Sequence, residues 1–344
     1  MPDATPAGNG RSPRHPDTEC GSARPDAYPA AVIDTLLLVA LPASGKSELR
    51  RYLESLSDDE RSDAFGLGPL VQLDDFPYVH FMRRVSQELR RLGGPTRFFD
   101  GDDLPFQDPR DWGTLTLLLD EDFRSLGQEP PHAVHPARLL FERIDRARRN
   151  LGIDPAFATL DADLVERLAR AVAADAAGLL GALPRQVPDG RTVVVEFARG
   201  GPDGATPPLQ PPYGYGYALS LFSDRLLETA RALYVWVTPE ESRRRNRERT
   251  RPGEEGSILF HGVPDEVMRA DYGTDDFLWL LEHSDLPGTV PVEHPGHRHH
   301  LPAAVFDNRV DHTSFLREDP ERWPPEALAR LRRELEGVFT GLRD

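Results

Sequence analysis

The chain has 344 residues, 39% of them hydrophobic and 28% charged, enough for one large or two modest domains, and carries a formal net charge of −16. So large an acidic excess works against a polynucleotide groove, where neutralising phosphates needs a basic surface, so nucleic acid is not an expected partner. The single cysteine, Cys20, excludes an intrachain disulfide and a cysteine-based metal site, and neither an apolar leader core in residues 1–30 nor an 18-residue apolar run occurs, so a cytoplasmic protein without membrane contact is expected.

Residues 1–30 are rich in Pro, Gly, Ala, Asp and Arg with little to bury, and are expected to be a disordered extension. The apolar run from Val32 to Leu41 is too short for a bilayer and right for a buried parallel strand. It ends in Ala40-x-x-x-x-Gly45-Lys46-Ser47, after which Leu49, Tyr52, Leu53 and Leu56 recur at helical spacing. Strand, glycine-containing loop and helix in that order make an anion cradle from backbone N–H groups and the positive end of the helix. Leu41, Pro42, Ala43, Ser44 and Gly45 are expected to wrap nucleotide phosphates, with Lys46 reaching the outer ones and the Ser47 hydroxyl ligating Mg²⁺. Lys46 is the only lysine in the chain, every other basic residue being arginine. A compact ammonium fits such a cradle and a broad guanidinium does not.

Ser57 to Asp63 reads as a solvated connection, and Pro69 to Pro77 as a short strand with Asp74 and Asp75 at its carboxyl edge, the side of an open α/β sheet where ligands bind. Residues 79–189 are mainly helical: Val79, Met82, Val85, Leu89 and Leu92 share one face, Trp112 to Phe123 is leucine-rich, and two helices are expected near 136–150 and 159–182. Arg191 to Phe197 is a second fully buried strand, carrying Glu196 near its end, with Arg199 just beyond. A Pro-rich loop with Tyr213, Tyr215 and Tyr217 leads to an expected helix over 218–231 and a strand over 232–237. Thr238-Pro239-Glu240-Glu241 then starts an arginine-rich helix. Glu240–Arg244 and Glu241–Arg245 are ready i,i+4 pairs, whereas Arg243, Arg247 and Arg251 share a side without an N-terminal acid. Residues 287–302, with His294, His297, His299 and His300, read as an irregular solvated loop without metal, because no cysteine or helical histidine pair supports ligation. A fifth strand over 302–308 and an amphipathic helix over 325–342 close the chain.

Leu-Pro-Ala-Ser-Gly-Lys-Ser, residues 41–47, resembles the Walker A motif of P-loop NTPases, with the wording of their small-molecule and nucleotide kinases; Ala40 stands where most members carry glycine. Asp74-Asp75-Phe76 resembles the element after the second strand of polynucleotide-kinase-like and zeta-toxin-like enzymes, whose first Asp activates the acceptor hydroxyl; here Pro77 stands before the first arginines, Arg83 and Arg84. The resemblance therefore nominates Asp74 as general base, with Asp75 and Arg199 toward the substrate. Glu196 resembles a Walker B acid that holds Mg²⁺, directly or through water, and Asp75 is the other outer-shell candidate. The arginine-rich helix resembles a lid over about 239–265, so Arg247 is a catalytic candidate, with Arg243 and Arg251 on the nucleotide. By resemblance the fold is a three-layer α/β domain with a five-stranded parallel sheet in the order 2-3-1-4-5, formed by 31–78 and 190–344, and 79–189 is a helical insert that grips the acceptor. The implied activity is transfer of the ATP γ-phosphoryl group to a hydroxyl or phosphate of a small molecule (a nucleoside, nucleotide or sugar-like metabolite), with ATP and Mg²⁺ as cofactors. A regulatory ATPase acting on a protein partner and a nucleic-acid end kinase remain as alternatives. A GTPase switch is disfavoured, since the Asn-Lys-x-Asp base-reading motif needs a second lysine.

Overall fold

A computed structural model describes residues 32–128, 135–249 and 262–343. The expectations for residues 1–30 and for Arg251 lie outside the described residues. Among the described residues no helix is long and apolar enough to cross a membrane.

Among the described residues six strands form one mixed, mostly parallel sheet: β1 (Thr35–Val39), β2 (Leu70–Asp74), β3 (Thr192–Phe197), β4 (Ala230–Trp236), β5 (Thr289–His294) and β6 (His297–Asp307), in the spatial order β2-β3-β1-β4-β6-β5. The central strands are apolar on both faces because both faces are covered. Leu36, Leu37, Leu38 and Val39 are completely inaccessible, each such side chain contributing about 1.5–3 kcal/mol. Their period of two splits them between two cores. Leu36 and Leu38 pack with Val194, Leu233 and Val235 against helices α1 (Lys46–Ser55) and α2 (Asp58–Phe65) and the C-terminal helix through Tyr52, Phe65, Leu335 and Phe339. Leu37 and Val39 pack with Val193, Val195 and Tyr234 on the other face.

The second region, between β2 and β3, contributes α3 (Phe76–Arg91), α4 (Asp111–Ser125), α5 (Pro136–Asn150), α6 (Ala162–Ala171) and α7 (Ala173–Ala182). Its own core runs through Phe81, Met82, Leu118, Phe141, Ile144 and Leu168 and is joined to the loop after β1 by Leu41 and to the segment after β4 by Val237. Residues 31–344 thus cluster as one compact unit, with the helical layer over the carboxyl ends of the strands. Asp145 ties the layer together, accepting from the amides of Ala156 (2.6 Å) and Ala158 (2.8 Å), while Arg143 joins α5 to Asp122 of α4 at 2.6 Å.

Several expectations need correction. The sheet has six strands rather than five, because 287–302 is not irregular: β5 and most of β6 form an antiparallel hairpin across Pro295–Gly296, with Gly296 at φ 91° as a type II turn requires. His294, His297 and His299 continue the face that carries buried Val290, Val292 and Leu301, so polar residues stand where the apolar period should run on, which hid the strands. The Ser57–Asp63 connection is mostly helix α2, started by a reciprocal capping box between Ser57 and Glu60 and stopped by Gly66 at φ 66°. The helix expected over 159–182 breaks at Val172 into α6 and α7. That expected over 218–231 is two short helices, α8 (Gly214–Leu219) and α9 (Asp224–Leu227), separated where the Ser223 amide and hydroxyl donate to Asp120. The remaining helices are α10 (Pro239–Arg249), α11 (Asp265–Ala270), α12 (Phe277–Glu282) and α13 (Pro325–Arg343).

Candidate functional site

The loop from Ala40 to Gly45 turns β1 into α1 through two left-handed residues, Ala43 at φ 55° and Gly45 at φ 105°. A Cβ on Gly45 would lie 2.4 Å from Thr313 Oγ1 and 2.7 Å from Asn308 Nδ2, so glycine is required by contact as well as by φ. Three side chains brace the loop from behind. Ser242 donates to the Pro42 carbonyl at 2.7 Å, Asn308 to the Ser44 carbonyl at 2.6 Å, and Lys46 to the Ala40 carbonyl at 3.1 Å. What faces the other way is unsatisfied. The N-cap Gly45 supplies no side-chain acceptor, although Lys46, Ser47 and Glu48 are all buried, and the Ser44 hydroxyl is buried without a hydrogen-bond partner. A buried helix start with free amides and no cap needs an external acceptor, and its dipole favours an anion.

Two carboxylates approach the same point. Asp74 and Glu196 end neighbouring strands and stand in register across β2 and β3. Glu196 accepts from the Ser47 hydroxyl at 3.2 Å and lies 3.5 Å from the Arg50 guanidinium, while its Oε2 is buried without a hydrogen-bond partner. Asp74, partly exposed to the cleft, is pushed up to about 8 by burial first and then by Glu196 and Asp75, against a hydrogen bond from the Phe76 amide at 2.9 Å. Lys46 is held below its ordinary range by burial, against the opposite pull of Glu196, Asp75 and Asp74. The oxygens of Ser47 and Glu196, adjacent at the start of α1, fit a hard divalent cation such as Mg²⁺.

Asp75 also lines the cleft but is engaged from behind. Its carboxylate pairs with Arg199, which also donates to the carbonyls of Ala198 (2.6 Å) and Trp112 (3.2 Å) and to the Thr116 hydroxyl (3.0 Å). Arg199 is only 3% exposed and does not line the cleft, so it acts as a strut joining the ends of β2 and β3 to α4. Replacing Arg199 by methionine is expected to cost about 3–5 kcal/mol by leaving the Asp75 charge buried and unpaired. Urea unfolding measures this, and Asp75→Asn added to that variant should recover much of the loss.

The cleft encloses about 990 Å³ of empty space, part of it open to solvent. Beyond the loop its walls are aromatic: Phe99 stacks on Phe106 at 4.4 Å, Phe106 meets Trp112 edge-on at 4.9 Å, and Trp112 meets Tyr272 at 5.4 Å. Arg83 lies over the Phe99 ring at 4.0 Å and donates to the carbonyls of Asp102 and Leu104. Asp271, on the same wall, is pushed up to about 7 by burial, and its Oδ2 lacks a hydrogen-bond partner.

The arginines of α10 are placed by helical phase. Ser242, Arg245 and Asn246 are buried, and Arg249 follows on that side and lines the cleft, its Nε buried without a hydrogen-bond partner. Arg243 pairs with Asp203 and Glu240, Arg247 is exposed, and neither lines the cleft. The absence of an acid four residues earlier does not leave an arginine unpaired, as Arg243 shows, and says nothing of its direction. The spacing 242, 245/246, 249 from the small residue after the strand does. Asn308, Thr313, Ser242, Arg83 and Asp271 were also not foreseen, since each comes from a remote segment and carries no local motif.

No protein-family model matches the chain, and no curated protein matches it significantly in sequence.

Proposed function

We propose that this protein is a P-loop kinase-like phosphotransferase that moves the ATP γ-phosphoryl group to a hydroxyl of a small molecule bound between the phosphate loop and the aromatic wall. The observation that carries the reading is the uncapped, buried start of α1 behind a left-handed glycine, with the chain's only lysine at its first position and two strand-end carboxylates opposite. Amides of the loop and the Lys46 ammonium would hold the outer phosphates, and Arg249, unpaired at Nε, would neutralise charge on the transferring group. Magnesium, when bound, supplies further neutralisation of the phosphate oxygens, and Ser47 and Glu196 are the residues that would hold it.

Asp74 orients the acceptor hydroxyl and takes its proton as the new P–O bond forms and the bond to the ADP oxygen breaks. A carboxyl raised to about 8 is basic enough for that role near neutrality. The aromatic wall, with Asp271 and Arg83 at its edge, suits an acceptor with a flat or apolar part and polar substituents. The net charge of −16 favours such an acceptor over a polynucleotide. Incubation with Mg²⁺ and γ-labelled ATP against a pooled small-molecule extract tests the proposal. A phosphate-mass gain on a metabolite, lost in Asp74→Asn, is expected; label released only as inorganic phosphate would replace the kinase reading by that of a regulatory ATPase.

A further inference from the structure

The β5–β6 hairpin carries a second constellation. Its two-residue turn sets His294 opposite His297, and the strand period puts His299 on the same face as His297. Asp224, the first residue of α9, meets all three. Its Oδ1 lies 3.0 Å from His294 Nδ1, 2.9 Å from His297 Nε2 and 2.7 Å from His299 Nε2, and the two Nε2 atoms are 3.1 Å apart. All four ligand atoms fall within 4.8 Å of one another. His300, on the other face of β6, pairs with Asp285 and takes no part.

Hydrogen bonds alone serve this arrangement badly. A neutral imidazole has one N–H, so if His297 and His299 both donate to Asp224 their hydrogens crowd across a 3.1 Å gap. If one nitrogen keeps its lone pair instead, it faces the carboxylate's own lone pairs. A cation among the four atoms removes the conflict, since every one of them can then direct a lone pair inward. A tetrahedral ion with ligands at about 2.0–2.1 Å separates them by about 3.3–3.4 Å. The side chains reach that spacing with sub-ångström shifts, and His297, at 46% side-chain exposure, leaves the ion a way in.

We propose that Asp224, His294, His297 and His299 form a Zn²⁺ site that clamps the edge hairpin to α9. Three imidazoles and one carboxylate select a borderline transition metal over Mg²⁺ or Ca²⁺, and four ligands leave no position for a substrate, so the site is structural. It is independent of the phosphate loop. Nine residues of extended chain, about 30 Å, separate His299 from Asn308, which braces that loop. The bound ion would hold the tip of the edge strand and join segments that lie far apart in sequence.

The test is calorimetric titration of Zn²⁺ into the chelator-treated full chain without an affinity tag. Expected is one ion per chain, unaffected by millimolar Mg²⁺, at least about 100-fold weaker in His297→Gln/His299→Gln and in Asp224→Asn, with a thermal midpoint rising by about 5 °C at saturation in the wild type alone. Mapping of histidine acylation on the wild-type protein needs no variant: Zn²⁺ should protect His294, His297 and His299 and leave His300 reactive. No binding at micromolar Zn²⁺, equal affinity in the variants, or no selective protection would each overturn the assignment.

Discussion

Lys46→Met is expected to weaken ATP binding by about 10²-fold and to slow phosphoryl transfer by about 10³-fold, with little change in the stability of the nucleotide-free protein. The two halves of this expectation have one cause. Lys46 is 8% exposed, and burial opposes its charge while Glu196, Asp75 and Asp74 favour it. In the empty protein these effects offset, so an apolar side chain of similar length costs little. Once phosphates enter, the ammonium is the only mobile cation rooted in the loop itself, and no other group replaces it. Lys46→Arg should fail nearly as badly, because the guanidinium must fit a space already bounded by Glu196 and by the Ala40 carbonyl to which the ammonium donates. Titration calorimetry and thermal unfolding read the two halves separately.

Asp74→Asn is expected to leave ATP binding within a few-fold of the wild type and to lower the rate of transfer by about 10²–10⁴-fold, the usual worth of a positioned general base. For the wild type the second-order rate constant should rise with pH toward about 8, where the free protein's Asp74 ionises, and the variant should lose that dependence. Stability moves the other way. The folded carboxyl holds its proton up to about 8, whereas an unfolded aspartate releases it near about 4. The native state therefore binds the extra proton across that window, and the wild type loses stability as pH rises through it. Asp74→Asn removes the loss, so its thermal midpoint relative to the wild type should climb between pH ~5 and ~9. A difference that stays flat across this range would show that Asp74 ionises normally in the folded protein.

Local patterns explain which parts of the structure could be read in advance. β1, its loop and α1 are contiguous, and each states its own condition: an apolar run, a glycine at φ 105°, then Leu49, Tyr52 and Leu53 buried at helical spacing. Glu196 and Asp74 were legible because they end strands whose sequence period was plain, although their register across β2 and β3 is a tertiary fact. The β5–β6 hairpin was missed because His294, His297 and His299 take the positions that continue the buried face of Val290, Val292 and Leu301, so the hydropathy period breaks off there. Arg199 was nominated as a substrate contact from its place after β3. Its actual partners are Asp75, Trp112 and Thr116, which lie 83–124 residues away, and no local pattern carries that information.

Distance in the chain also explains the missed bracing of the loop. Asn308 lies 264 residues from Ser44 and Ser242 lies 200 from Pro42, yet these two bonds hold the loop carbonyls outward and leave its amides facing the cleft. The aromatic wall is assembled in the same way from the segment after α3, from α4 and from the segment after α11.

The central claim is that the Ala40–Ser47 loop binds nucleotide phosphates, and titration of Mg²⁺·ATP into the full chain, with Lys46→Met beside it, tests it most directly. Expected are one nucleotide per wild-type chain, affinity that falls from ATP to ADP to AMP, no measurable binding of adenosine, and about 10²-fold weaker ATP binding in the variant. Equal affinities in the two proteins, or adenosine binding as tightly as ATP, would contradict it.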